Sequence, residues 1–326
     1  MQYQIPSIPI YAEGANTFTY YAVDLFGNAE TPKTVTFNVT QYRPTTSTVI
    51  TGTSTGSYYT SDTTITITGQ DRYGIKEIHY LVNGVETIVP GNTATVRLTA
   101  DGEYIVRYFA ISNTGLDDGL TGFQRILIDK TAPANSSSVS GNLNSNGWYT
   151  TDVNVAITAS DSNSVSCIYY TIDGVETYVS GGLQTVSTTV SILTEGIHTL
   201  SFYSIDTAGN VSATTTLTIK IDKTAPFVVS TAPANNATGV QTSASIIINL
   251  NESVTAGSGF ANIVLKKGTT TVTTTKTLSG NKLTIKPSSS MSKSTTYKVT
   301  IPANSFVDAA GYNNAAYTLT FKTGTR

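Results

Sequence analysis

The sequence holds one cysteine, Cys167, in 326 residues, which excludes an intramolecular disulfide. Its apolar surroundings in SCIYY point to a buried structural thiol rather than a nucleophile. Charge is equally scarce. Charged residues make up 12% of the chain and the net charge is −2, about half the usual charged fraction of a globular protein. With no basic run, nothing supplies the counterion-releasing phosphate contacts that nucleic-acid binding needs. There are two histidines, His79 and His198, both in strand-like segments. G-x-S-x-G, H-E-x-x-H, a Gly-rich phosphate loop and a framed pair of carboxylates are all missing, so no enzyme active site is expected. No run approaches the ~18 apolar residues of a membrane-spanning helix, and the opening MQYQIPSIPI lacks the basic and apolar regions of a secretory leader. Helical periodicity is almost absent too.

What is present is β-pattern. Windows rich in Thr, Val, Ile and Tyr alternate apolar and polar, and Gly, Asn, Asp or Pro interrupts them about every eight to twelve residues. In ITITGQ (65–70) and VAIT (155–158), Ile or Val takes every second position, as in a strand with one face on a core. The hydrophobic fraction of 39% suffices for ordinary cores, and the length allows roughly two to four domains.

The hexapeptide IDKTAP occurs at 128–133 and again at 221–226, and TQYRP ending at Pro44 is a degenerate third copy. Each proline follows an alternating run and cannot donate to a strand ladder, so the hexapeptide reads as punctuation between modules. At an offset of 90 residues, YTSD (Tyr59) falls on YTTD (Tyr149), Asp71 on Asp161, Ile78 on Ile168, Tyr80 on Tyr170, and GVET at Gly84 on GVET at Gly174. Further along, DGEYIVRYFAISNTG (101–115) aligns with EGIHTLSFYSIDTAG (195–209). The unit EGANTFTYYAVDLFGN (13–28) repeats the same glycine spacing near the start.

The expected modules are 1–43 (a partial module holding only its last strands), 44–133, 134–226 and 227–326. The front half of the first is missing, so the chain reads as a piece of a longer protein. Three strands with open edges are marginal in water, and residues 1–43 are expected to be poorly ordered or to pair with a neighbour. The last 100 residues divide into about seven strands, the count of an Ig-like sandwich, with a hairpin turn at 279–281. The fold class is therefore all-β, tandem Ig-like β-sandwiches in a linear array.

Residues 45–226 resemble the tandem Ig-like modules of large bacterial and archaeal surface proteins. They share with chitobiase C-terminal-type modules the elements YTTDV (Tyr149), IYYTIDG (Ile168) and DTAGN (Asp206). Residues 227–326 resemble the Ig-like domain of S-layer-type proteins, through P-x-N-x-A-T-G-V (233–240) and DAAG (308–311). The second module departs from the pattern, with Asn83 in place of Asp173 and SNTG in place of DTAG. The resemblance implies the stalk or adhesion region of a large extracellular, cell-surface adhesin-like protein. Its partners would be glycans or proteins of another cell and the neighbouring modules of its own parent chain. Two alternatives stand beside it: carbohydrate-binding accessory modules of a secreted carbohydrate-active enzyme, or an S-layer component.

Candidate sites follow from residue chemistry. The D-x-x-G-N elements place Asp24 with Asn28 and Asp206 with Asn210, oxygen donors suited to Ca²⁺; the competing reading is a self-bonded turn. Tyr58, Tyr59, Trp148, Tyr149 and Tyr169 could stack on sugars, with Trp148, Tyr149 and Tyr169 foremost; alternation leaves Tyr169 and Thr171 on the face opposite Ile168, Tyr170 and Ile172. Five N-x-S/T sequons, at Asn38, Asn135, Asn210, Asn236 and Asn251, are glycosylation candidates in an exported chain. A Lys–Asn cross-link would show as an intact mass lower by one ammonia. Strands of about eight residues at ~3.3 Å, with their loops, give on the order of 40 Å per module. Asp129, Lys130, Asp222 and Lys223 are expected to stiffen the joints.

Overall fold

The computed structural model describes residues 7–10, 12–119 and 122–325. Strands dominate it, and the one helical element among the described residues is the single turn Phe260–Asn262. The chain divides into two compact units. The first comprises residues 1–133 with 161–164 and 205–211; the second comprises 134–160, 165–204 and 212–326.

In the first unit, Gly14–Tyr20 pairs antiparallel with Lys33–Val39 in a sheet that is two-stranded among the described residues. Its apolar side chains stay largely in water, with Phe18, Tyr20 and Val35 all exposed. Tyr73 donates a hydrogen bond to Glu13 at 3.2 Å, and Arg43 pairs with Asp117 at 3.1 Å. The residues that follow form two sheets. One contains Thr45–Thr51, Thr63–Gln70 and Thr93–Leu98. The other runs Ser54–Thr55, Tyr58–Tyr59, Gly122–Ile128, Gly102–Ser112, Ile75–Val82, Val85–Pro90. Alternation decides what lies between them: Ile65 and Ile67 turn inward with Val96 and Leu98, against Ile78, Val106 and Ile126. Gly69 leaves room there, since a Cβ would sit 2.9 Å from Ile78 Cδ1 and 3.1 Å from Ala110 Cβ, and these neighbours would have to shift.

In a further sheet Ala134–Ser140, Val153–Ile172, Gly196–Asp206 and Thr215–Ile221 lie in order, and Val175–Ile192 pairs with Val153–Ile172. The segments equivalent to two separate strands in residues 63–82 here form one ladder of 20 residues, bent by register shifts around Val165. Both repeats close their central hairpin with a two-residue loop. Asn83-Gly84 and Asp173-Gly174 all have positive φ, the conformation that Asn, Asp and Gly tolerate best. Cys167 is half-buried rather than buried, because the bulge and the alternation give the core positions to Val165 and Ile168.

Residues 228–323 place a four-stranded sheet (Val228–Ala232, Ile246–Leu250, Lys282–Pro287, Thr274–Ser279) and a five-stranded one (Ala237–Val240, Tyr317–Thr323, Thr296–Ile301, Val264–Lys267, Thr270–Val272) around a single core. The pair Ser279↔Lys282 closes the hairpin expected at 279–281.

Candidate functional site

The local unit of interest is a tight turn that recurs four times. Asp24, Ser112, Asp206 and Asp308 each open one, and three residues later Gly27, Gly115, Gly209 or Gly311 adopts positive φ. In the first, Asp24 Oδ1 accepts from the backbone N–H groups of Phe26 and Asn28, both at 2.9 Å, and Oδ2 accepts from Asn28 Nδ2 at 2.8 Å. These bonds, the Asn28 side chain foremost, hold the Asp24 carboxyl below the usual aspartate range. In the second turn the hydroxyl of Ser112 does the work, accepting from Leu116 N–H at 3.2 Å. In the third, Asp206 Oδ1 accepts from Asn210 N–H and Oδ2 from Asn210 Nδ2, both at 2.8 Å. In the fourth, Asp308 Oδ1 accepts from Gly311 N–H at 2.7 Å and Tyr312 N–H at 2.8 Å. Tyr312 stands where the two other aspartate turns carry Asn28 and Asn210, and has no amide to offer. Asp308 Oδ2 is buried without a hydrogen-bond partner.

Among the described residues, acidic side chains converge in threes at two places, and each triple offers carboxylate oxygens within 4.8 Å of one another. The first lies wholly in the first unit and joins Asp129 of the first IDKTAP, Asp161 and Asp206. Asn163 Nδ2 donates to Asp129 Oδ2 at 2.7 Å, Thr131 N–H to Asp129 Oδ1 at 3.2 Å, and Asn210 Nδ2 to the Asp129 carbonyl at 3.0 Å. Burial raises the Asp129 carboxyl above its usual range, the amide bonds pull it back, and the charges of Asp206 and Asp161 add to the rise.

The second triple lies wholly in the second unit and joins Asp222 of the second IDKTAP, Glu252 and Asp308. Asp222 Oδ1 accepts from Thr224 N–H at 3.1 Å, and Glu252 Oε1 from Asn251 Nδ2 at 2.9 Å. Among the described residues no cationic side chain pairs with it: the neighbouring Lys223 reaches instead to Asp152 at 2.7 Å and the Leu193 carbonyl at 2.8 Å. Two full charges ~5 Å apart repel by about 3 kcal/mol at an effective dielectric near 20. Burial first, then the charges of Asp222, Asp308 and Glu195, push Glu252 up to about 7 against the bond from Asn251. Asp222 and Glu252 also line a cavity of about 340 Å³ with Trp148, Glu195, Thr224 and Asn251.

The residues expected from sequence fall out as follows. Asp24 and Asn28 form an exposed, self-bonded turn outside both triples; Asp206 belongs to the first triple, with Asn210 as its amide donor. Trp148 lines the cavity beside Asp222, whereas the Tyr149 ring packs on the sandwich core. Tyr169 lies in a row of rings, 5.2 Å from Tyr203 at an interplanar angle of 11° and 5.6 Å from Tyr178. Asn38 and Asn236 are exposed; the side-chain amides of Asn135, Asn210 and Asn251 donate to Ser212, Asp206 and Glu252. His79 is held by Glu86 at 2.8 Å, and His198 by Asp173 at 2.8 Å. Sequence reasoning left Asp161 and Glu252 out of any site. In sequence Asp161 stands out only as the repeat partner of Asp71, and nothing near Glu252 marks it as a neighbour of Asp222.

Residues 222–323 match the family model of a bacterial Ig-like domain. No curated protein matches the chain. Among solved structures, the fibronectin(III)-like modules of Clostridium thermocellum CbhA align at 16% identity over 54% of this chain and 95% of that one, with a TM-score of 0.28. Bacteroides ovatus SGBP-B in complex with a mixed-linkage heptasaccharide aligns at 15% identity over 88% and 71%, TM-score 0.23. The BSP domain of a biofilm-associated protein aligns at 8% over 87% and 66%, TM-score 0.22, so the chain spans just under two thirds of it. At such scores the likeness carries no argument about function. No helix among the described residues is long and apolar enough to cross a membrane.

Proposed function

We propose that this all-β chain, whose residues 222–323 match a bacterial Ig-like domain, is a non-catalytic stalk and adhesion region of tandem Ig-like domains in a larger cell-surface protein, facing the outside of the cell. The observation that carries this reading is the repeated joint. Lys130 Nζ reaches Asp62 at 2.9 Å and the Thr99 carbonyl, and Lys223 Nζ reaches Asp152 at 2.7 Å and the Leu193 carbonyl. Each hexapeptide thus ties its lysine back into the repeat it ends, in the same way twice, the regularity expected of a repeated module. The division into modules 1–43, 44–133, 134–226 and 227–326 belongs to this proposal. Its partners are other cells, through surface glycans or proteins, and the adjoining modules of the parent chain.

The row Tyr178–Tyr169–Tyr203 favours a second reading, carbohydrate binding, because a row of rings with Tyr178 exposed beside the half-buried, stacked pair Tyr169–Tyr203 suits the flat faces of sugars. Retention of the chain on insoluble polysaccharides separates the two. A spacer passes through unretained; retention that disappears in Tyr169→Ala makes the chain a carbohydrate-binding module. Assembly into ordered sheets, seen by electron microscopy, would instead identify an S-layer component.

A further inference from the structure

We propose that Asp222, Glu252 and Asp308 form a calcium site. The donor set is oxygen only, which suits a hard divalent cation and not zinc. Two oxygens bound at about 2.4 Å to one calcium ion lie no more than about 4.8 Å apart, and the three carboxylates meet that limit.

Acidic convergence alone would not single this place out, since Asp129, Asp161 and Asp206 converge equally. The independent observation is Asp308 Oδ2. Asp308 is only 6% exposed, its Oδ1 is saturated by two backbone N–H groups, and its Oδ2 has no donor. A buried carboxylate oxygen without a partner costs free energy unless a proton or a cation meets it. In the other triple, Asn210 and Asn163 supply the amides that meet Asp206 Oδ2 and Asp129 Oδ2. At Asp308 the residue in the Asn210 position is Tyr312, so the same turn delivers an uncapped oxygen. The adjoining cavity of about 340 Å³ gives an ion and its waters a route in, and Glu195, Thr224 and Asn251 add oxygen atoms to its wall. Calcium is therefore placed at these three residues rather than at Asp24 and Asn28 or at Asp206 and Asn210, whose carboxylates are engaged by their own turns.

The test uses the whole chain after chelator treatment and dialysis. Trp148, the only tryptophan, lines the same cavity, so terbium bound at the site will be sensitised by it. Calorimetry with calcium chloride up to about 10 mM covers the range of extracellular modules. The expected result is saturable terbium emission displaced by calcium, a melting temperature raised by calcium, and affinity lowered at least about tenfold in Asp308→Asn, with Asp161→Asn unchanged. Tyr312→Asn, which restores the missing amide, should weaken calcium binding and raise the melting temperature of the chelated protein. This variant carries the test if Asp308→Asn does not fold. The proposal is overturned by absence of binding up to that concentration, by wild-type affinity in both Asp308→Asn and Tyr312→Asn, or by loss of binding in Asp161→Asn.

Discussion

The two acidic triples are assembled from matching parts and reach different states. Each takes one aspartate from an IDKTAP joint, Asp129 or Asp222, and one from a glycine turn, Asp206 or Asp308. Each adds a third acid, Asp161 or Glu252. In the first unit, amides meet the oxygens: Asn163 bonds Asp129 Oδ2, and Asn210 bonds both Asp206 Oδ2 and the Asp129 carbonyl. In the second, Tyr312 replaces the capping Asn, Asp308 Oδ2 is left without a donor, and Glu252 is pushed up to about 7, mainly by its burial. The difference teaches that the side chain four residues after a turn aspartate decides whether a buried acidic cluster is a closed hydrogen-bonded joint or a site awaiting a positive charge. Polar networks of this kind stabilise when complete and cost most when one member is missing.

The comparison breaks most visibly if the closed triple is opened. Asn210→Ala removes the donor to Asp206 Oδ2 and to the Asp129 carbonyl, leaving two buried acceptors unmet. A loss of about 2 kcal/mol is expected, typical of removing one partner of a hydrogen bond to a buried charged group. The measurement is a chemical denaturation midpoint with and without chelator. If the closed state depends on this residue, the variant melts earlier; an unchanged midpoint would mean that solvent or Asn163 replaces the amide without cost.

A smaller effect should appear in the pH dependence of the same triple. Burial, then the facing charges of Asp206 and Asp161, raise the Asp129 carboxyl in the folded state, while bonds from Asn163 and Thr131 oppose the rise. Below the ordinary aspartate range, both folded and unfolded chains hold this proton and there is no penalty. As pH rises through that range the unfolded chain ionises first, so Asp129 lowers stability progressively until pH passes its raised folded value, where the loss levels off. Subtracting the profile of Asp129→Asn from the wild type should therefore leave a step that descends with rising pH. A rising step would mean that the amide bonds outweigh burial.

Much of the fold was legible because it is written in neighbouring residues. The inward Ile65 and Ile67, the opposed faces of Ile168 and Tyr169, the loops Asn83-Gly84 and Asp173-Gly174, and the hairpin at 279–281 all follow from alternation or from tolerance of positive φ. The half-buried Cys167 was not legible, since a bulge at Val165 resets the alternation that its apolar neighbours suggested. The triples were legible only in part. IDKTAP and D-x-x-G announce their aspartates, but the approach of Asp161 to Asp129 and of Glu252 to Asp222 depends on how strands bring distant loops together, and no local pattern encodes that. Tyr149 carries the aromatic signature of a ligand platform in sequence, yet its backbone pairs with Lys220 and Asp222, and its ring packs on the core.

The smallest effect is expected at the turn that resembles the closed one most closely in sequence. Asp24 and Asn28 reproduce the bonds of Asp206 and Asn210 almost distance for distance, with Asn28 Nδ2 on Asp24 Oδ2 at 2.8 Å. Asp24 is exposed, however, and among the described residues no other carboxylates join it in a triple. Water can take the place of any bond it loses, so Asn28→Ala should leave the denaturation midpoint where it was, and its response to calcium should be that of the wild type. Set beside Asn210→Ala, this holds the turn constant and varies only burial and the company of other acids. If Asn28→Ala destabilises the chain as much as Asn210→Ala does, the turn's own geometry sets the cost, and the contrast between a closed and an open cluster loses its physical basis.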